Sequence, residues 1–295
     1  MTVSSELPGP VVSAAWLAEQ LGDGDLVILD CTTTLTPGVT SPGKPAREVF
    51  EAGHIPSAQF VDVQGELSDP DAPTRFSIAS SDAFAKAASR FGIGKGKRVI
   101  LYSTGSAWWA TRVWWSLRHF GFENAAVLNG GFQRWRADGW PVETGPATAS
   151  AKAVFTPVVT KPLFVGKSEV FAAMGDEAIC TVNALPAAVH AGAPAGYART
   201  GHIPGSVNVP APDLLDPETN LLKPLEALRA HFESTGALAA DRVVVYCGAG
   251  ISATGDALAL TLLGHPNVVV YDGSMDEWSA DMSLPIVTLP GELPR

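Results

Sequence analysis

The sequence has few cysteines, and they are poorly placed for cross-linking. Among 295 residues there are three, Cys31, Cys180 and Cys247, and no two of them form a Cys-x-x-Cys pair. A small, odd number of cysteines in a chain of this length argues against a disulfide framework and against a structural zinc site. Cys31 and Cys180 lie in or beside short apolar runs, as small buried strand residues do. We therefore expect no bound metal.

Positive charge and long apolar runs are also scarce. Twenty lysines and arginines against 30 aspartates and glutamates give a formal net charge of −10. Nucleic acids and anionic membrane surfaces need a cationic footprint, so neither is an expected partner. A small anionic ligand needs only one local positive pocket. No run approaches about 18 apolar residues, and residues 1–6 lack the pattern of a signal peptide, so we expect a cytoplasmic protein.

The sequence does contain an internal repeat with a period of about 145 residues. Gly-His-Ile-Pro occurs at residues 53–56 and again at 201–204. An apolar run ending at Ser103 returns as one ending at Cys247. Such a long period indicates a duplicated domain, because solenoid units span only about 20–50 residues. A small, polar stretch separates the copies, and we predict a first domain at 1–145, a linker at 146–160 and a second domain at 161–295.

Within each copy, short β-branched runs alternate with helical patterns. In the second copy a predicted strand at 242–246 is followed by a glycine-rich turn, a helical pattern at 252–263 and another strand at 268–271. Strand, helix and strand in this order indicate a right-handed crossover and a parallel sheet. The predicted fold class is α/β, with two tandem domains that each form a small parallel sheet with helices on both faces.

The residues after the 242–246 strand carry the candidate chemistry. They are Cys247, Gly248, Ala249, Gly250, Ile251, Ser252 and Ala253. Ligands of open α/β sheets bind beyond the carboxyl ends of the strands. A loop that turns there into a helix directs backbone N–H groups inward, and these favour negative charge. We expect Cys247 to be a reactive thiolate whose persulfide is held by the same groups, with Ser252 as a hydroxyl donor or helix cap. The alternative is an inert strand-end cysteine followed by a plain turn.

This loop resembles the active-site loop of tandem rhodanese sulfurtransferases, most closely the Cys-Gly-Ser-Gly-Val-Thr-Ala pattern of the mercaptopyruvate type. The Gly-His-Ile-Pro segments and the Asp-Gly-Ser segment before Trp278 resemble the same family, so the resemblance covers about residues 20–290. It implies two rhodanese-like domains with the active cysteine in the second, and we expect no cofactor. Sulfur would pass from 3-mercaptopyruvate or thiosulfate to Cys247 and then to a thiol or cyanide acceptor. Ser103, which matches Cys247, implies a catalytically silent first domain.

The sequence departs from the family pattern at positions that handle the donor. Ala249 stands where mercaptopyruvate-type members commonly have serine, and Leu185 stands where the family has an arginine for the donor carboxylate. Arg199 is the nearest remaining cation in sequence, and a guanidinium suits a carboxylate. His54 is the candidate that the first domain would contribute. For both residues the alternative is an ordinary structural role.

Two other functions compete with sulfur transfer. A cysteine phosphatase needs an arginine six positions after the cysteine, and this chain has Ala253 there. That substitution argues against phosphate chemistry. A non-catalytic rhodanese-like sulfur carrier or binding module is left open by the changes at residues 185 and 249.

Overall fold

The chain, in a computed structural model that describes residues 6–34, 46–147 and 152–289, divides into two compact units. Unit 1 comprises Met1–Pro70, Ile78–Lys161 and Pro217–Leu222, and unit 2 comprises Asp71–Ser77, Pro162–Asp216 and Lys223–Arg295. Each unit therefore includes one short segment from the other sequence repeat. We call these segment 71–77 and segment 217–222.

The described part of unit 1 contains one parallel five-stranded sheet. Its strands are β1 (Val11–Val12), β2 (Leu26–Asp30), β3 (Gln59–Phe60), β4 (Arg98–Tyr102) and β5 (Ala125–Leu128). Its helices are α1 (Ala14–Gln20), α2 (Ala46–Ala52), α3 (Val63–Glu66), α4 (Ser81–Arg90), α5 (Trp108–His119) and α6 (Gly131–Ala137). The strand order is β1-β5-β4-β2-β3. Every residue of β4 is buried, as expected for a strand covered on both faces.

Unit 2 repeats this arrangement in its described residues. Its strands are β6 (Phe164–Val165), β7 (Ile179–Asn183), β8 (Val207–Asn208), β9 (Arg242–Tyr246) and β10 (Val268–Tyr271). Its α-helices are α7 (Lys167–Ala172), α8 (Ala187–Ala191), α9 (Leu225–Glu233), α10 (Ala253–Leu262) and α11 (Ser274–Ala280). The order β6-β10-β9-β7-β8 is again wholly parallel. The predicted α/β fold with two tandem domains is confirmed.

The two units divide after Lys161, next to the predicted linker at 146–160. Residues 148–151 lie outside the described residues, but the chain that follows packs on unit 1. The backbone N–H of Ala153 donates to Ser89 O at 3.1 Å, and that of Val158 donates to Phe120 O at 2.9 Å. No helix in the described residues is long and apolar enough to cross a bilayer.

Candidate active site

Cys247 directly follows β9, a central strand of the unit 2 sheet. β9 pairs with β7 on one side and β10 on the other, so its carboxyl end opens at the middle of the sheet. The Cys247 loop, residues 247–253, then turns into α10. Cys247 is 2% exposed. This is the strand-to-helix turn that the sequence predicts, and it places the cysteine beside the N-terminus of a ten-residue helix.

The Cys247 loop leaves backbone donors unused. Within the described ranges, we find no hydrogen-bond acceptor for the N–H groups of five loop residues. They are Gly248, Ala249, Ile251, Ser252 and Ala253. Clustered main-chain N–H groups at the start of a helix favour a bound anion. The loop therefore has the donor set that a negatively charged sulfur species requires.

The first turn of α11 holds the opposite side of the loop. Met275 N donates to Cys247 O at 3.0 Å, and Asp276 N donates to Gly248 O at 2.8 Å. In a trans peptide the C=O and N–H groups point in opposite directions. Because both carbonyls face α11, the N–H groups of Gly248 and Ala249 face away from it, toward the inside of the loop.

The side chain of Ser274 holds the loop in addition to these backbone hydrogen bonds. Its Oγ accepts hydrogen bonds from Cys247 N at 3.1 Å and from Gly250 N at 3.2 Å, and it donates to Tyr271 O at 2.7 Å. Ser274 is fully buried and has a φ of 49°, an uncommon conformation for a residue with a Cβ. The surrounding bonds hold it in this strained state, which is a feature of functional sites.

Tyr197 covers the loop at Gly248. A Cβ atom added at Gly248 would overlap Tyr197 Oη, so only glycine allows the hydroxyl to come this close. Burial raises the pKa of Tyr197, and negative charge at Cys247 raises this pKa further. The hydroxyl therefore stays protonated at neutral pH and is a potential hydrogen-bond donor.

Segment 71–77 brings a cation within electrostatic range of Tyr197. The charge of Arg75 lowers the pKa of Tyr197 and that of Asp276, so its guanidinium lies within electrostatic range of both. Burial is the larger influence on each group and raises its pKa. The next residue, Phe76, anchors the segment, since it is 2% exposed and has a φ of 62°.

Unit 1 shows the equivalent arrangement around Ser103. Segment 217–222 approaches it, with Leu222 N donating to Asn129 Oδ1 at 2.8 Å. Asn220 has a φ of 58° and matches Phe76 in the repeat. Phe132 N donates to Ser103 O at 3.2 Å, as Met275 does in unit 2. The two units therefore share this backbone arrangement. In unit 1, however, the cysteine is replaced by Ser103, whose hydroxyl donates to Ser106 O.

The other predicted site residues have structural contacts. The guanidinium of Arg199 donates to four carbonyl oxygens at and beyond the end of α11, those of Trp278, Ser279, Asp281 and Leu284. These bonds occupy the donors that a substrate carboxylate would need, so we do not retain Arg199 as its partner. Ser252 is the N-cap residue of α10, but its side chain makes no capping hydrogen bond, and the expectation of a hydroxyl cap was wrong.

His54 is buried within unit 1. Its ring stacks on Phe50, with centroids 3.9 Å apart. Nδ1 lies 3.0 Å from Phe50 O, and Nε2 lies 3.9 Å from Glu143 Oε2. His202 occupies the corresponding place in unit 2, stacked on His190 at 3.8 Å. These contacts support the structural alternative for His54.

Sequence reasoning missed Arg75 and Tyr197. Neither residue lies in a motif, and Arg75 belongs to the first sequence repeat although it packs in unit 2. A partial signal was present, because a donor site without arginine at Leu185 needs a cation from another segment.

The comparisons with known proteins agree with the fold. The rhodanese-like domain family matches residues 13–138 and 186–281. The 3-mercaptopyruvate sulfurtransferase of Escherichia coli O157:H7 is 34% identical over 284 residues, covering 94% of this chain and 98% of the relative. The thiosulfate sulfurtransferase of Gallus gallus is 32% identical, covering 91% of this chain and 92% of the relative.

A solved structure gives the same assignment. The crystal structure of SseA from Escherichia coli, described as a 3-mercaptopyruvate sulfotransferase with the rhodanese fold, matches with a TM-score of 0.81 and 32% identity. The match covers 90% of this chain and 98% of SseA. The similarity thus extends over both units and includes enzymes that transfer sulfur. The chain belongs to the rhodanese-like sulfurtransferase family.

Proposed function

We propose that this sulfurtransferase moves a sulfane sulfur from a small anionic donor, 3-mercaptopyruvate or thiosulfate, through a persulfide on Cys247. The acceptor is a thiol or cyanide. The observation that carries the proposal is the set of unused N–H groups around the Cys247 loop. They suit both anions that residue 247 would carry, the thiolate and the persulfide.

The transfer has two balanced steps. In the first, the Cys247 thiolate attacks the donor sulfur, an Sγ–S bond forms, and the donor's C–S or S–S bond breaks. The pyruvate enolate or sulfite leaves with the electron pair. In the second, the acceptor attacks the outer sulfur, the Sγ–S bond breaks, and the electron pair returns to Sγ. Each step places negative charge inside the loop, where the N–H groups stabilise it.

Arg75 is the cation that we assign to the donor. Both proposed donors are anionic, and Leu185 supplies no charge. The Arg75 guanidinium of segment 71–77 lies within electrostatic range of Tyr197, whose hydroxyl lies against the Cys247 loop. A guanidinium can bind a carboxylate or sulfonate through two parallel hydrogen bonds. The protonated hydroxyl of Tyr197 supplies a further donor toward the leaving group.

Intact-mass measurement tests the persulfide. Incubation with 3-mercaptopyruvate or with thiosulfate should add the mass of one sulfur atom to the native chain and none to Cys247→Ser. Later addition of cyanide should remove it. If neither donor adds sulfur to the native chain, sulfur transfer from these donors is refuted and the binding-module alternative gains support.

Donor kinetics test Arg75. Arg75→Ala should raise the KM of the accepted donor about ten- to hundredfold, the loss expected for a hydrogen bond to a charged group. Arg75→Lys should recover part of this loss because it keeps the charge. Arg90→Ala is the matched control, since Arg90 pairs with Glu66 in unit 1. Equal KM values for the Arg75 and Arg90 variants would contradict the assignment.

A further inference from the structure

Asp256 is a fully buried acid in the first turn of α10. It lies on the same inner helix face as Ala253, Ala257 and Leu260, which are also fully buried. In the described part of the chain, neither carboxyl oxygen of Asp256 has a hydrogen-bond partner. A buried polar group without a partner destabilises the fold, so an acid retained on an apolar face calls for an explanation.

The surroundings of Asp256 make it neutral. Burial raises its pKa well above the ordinary range, and negative charge at Cys247 raises it further. No cation among the described residues offsets these two effects. The elements that pack against α10 are β9, β10, α9 and the 3-10 turn Ala211–Leu214. Their charged residues, among them Arg242, Arg229 and Asp213, do not act on the carboxyl. A buried carboxyl in such a setting keeps its proton at neutral pH.

A neutral carboxylic acid is a hydrogen-bond donor, which a carboxylate is not. An enzyme can keep an acid protonated in an apolar site so that the acid donates to an anion formed during the reaction. Cys247 is the one group in the described residues whose charge acts on Asp256. The two side chains thus lie within electrostatic range of each other, and Asp256 lies in the first turn of the helix that directly follows the Cys247 loop.

We propose that Asp256, as a neutral carboxylic acid, donates a hydrogen bond to Sγ of Cys247 whenever that sulfur carries negative charge. The inference rests on the proposed function only in taking Cys247 as the nucleophile. In the discharge step, the Sγ–S bond breaks and the electron pair stays on Sγ. Asp256 turns its O–H toward that sulfur and keeps its proton. In the structure both carboxyl oxygens are free to make this bond, since neither has a hydrogen-bond partner among the described residues.

The pH dependence of Cys247 alkylation by iodoacetamide tests this role in the full-length chain. Asp256→Leu removes the donor and suits the apolar surroundings. We expect its alkylation profile to move about one unit to higher pH, which corresponds to about a tenfold loss of thiolate stabilisation. Asp256→Asn keeps an N–H donor of similar length and should give an intermediate profile. Thermal unfolding shows that each variant folds, and the melting temperature of Asp256→Leu should rise.

Three results would overturn the proposal. A profile of Asp256→Leu that stays unchanged shows no contact with the sulfur, and a shift to lower pH shows that the carboxyl acted as a negative charge. An equal shift in the Asn and Leu variants excludes donation. Asp30→Asn is the matched control, because Asp30 is a buried acid of unit 1 with one unpartnered oxygen. Alkylation needs no sulfur donor, so this test is independent of whether Cys247 is loaded by mercaptopyruvate or thiosulfate.

Discussion

Ser274 gives the sharpest test of how the Cys247 loop is held. Ser274→Ala removes an oxygen that accepts from Cys247 N and Gly250 N and donates to Tyr271 O. At about 1 kcal/mol for each buried hydrogen bond, the free energy of unfolding should fall by about 3 kcal/mol. Sulfur loading should slow as well, since the loop N–H groups lose their fixed positions.

Ser274→Gly separates the hydroxyl from the backbone strain. It loses the same three hydrogen bonds, but glycine adopts the φ of 49° at Ser274 without steric cost. We therefore expect Ser274→Gly to be about 1 kcal/mol more stable than Ser274→Ala. The repeat supports this reasoning, because Gly131 holds the matching position in unit 1 with a φ of 57°.

Urea unfolding and single-turnover sulfur uptake are the measurements, with Ser279→Ala as the control on the same helix. Ser279 is buried and accepts one hydrogen bond, from Ala198 N at 3.2 Å. Its loss should cost about 1 kcal/mol and leave sulfur uptake near the native rate. The reasoning fails if Ser274→Ala is no less stable than Ser279→Ala, or if Ser274→Gly is the least stable of the three.

Three further predictions follow from other contacts. Burial, with a smaller contribution from its stacked partner, lowers the pKa of His190 from 6.5 to about 4. Between these two pKa values the unfolded chain binds more protons than the folded chain, so the free energy of unfolding should fall by about 3 kcal/mol as the pH drops from 6.5 to about 4. His190→Phe should flatten this pH dependence, as measured by urea titrations at graded pH. Gly248→Ala, whose Cβ would overlap Tyr197 Oη, should slow sulfur loading at least about tenfold, and adding Tyr197→Phe should recover part of the rate. Arg98 is almost fully buried between two aspartates, so Arg98→Met should destabilise unit 1 by about 3 kcal/mol in denaturant melts.

The sequence predicts the layers of this fold well because the buried strands are short β-branched runs. The strands predicted at 242–246 and 268–271 match β9 and β10, and the helix predicted at 252–263 is observed as Ala253–Leu262. A parallel strand that is buried on both faces is apolar along its whole length, so a short β-branched run predicts such a strand reliably. The unit boundaries were less predictable. Segments 71–77 and 217–222 each pack away from their own repeat, and a linear pattern carries no information about such an exchange.

In the candidate site, too, the local features were predictable from the sequence and the tertiary ones were not. The loop from Cys247 to Ala253 is local, so residue type and spacing are enough to predict it. Tyr197 reaches the loop, and Arg75 comes within electrostatic range of Tyr197, through the tertiary path of the chain, which no local pattern reveals. Asp256 is the intermediate case, because a single acid within an otherwise apolar helix was visible in the sequence. Its lack of a partner depends on packing and could be found only from the structure.

Comparison of the two repeats indicates what the proposed persulfide site needs beyond the fold. Both units have the same strand order, the same loop contact with the following helix, and an exchanged segment with a left-handed residue. A rhodanese-like backbone therefore does not by itself make the site. Unit 2 adds a sulfur atom at residue 247, a hydroxyl at residue 274 where unit 1 has glycine, and a cation at residue 75. Because Gly131 has no side chain to bond the loop, replacing Ser103 with cysteine in unit 1 should not create a second site that takes up sulfur at the rate of the first.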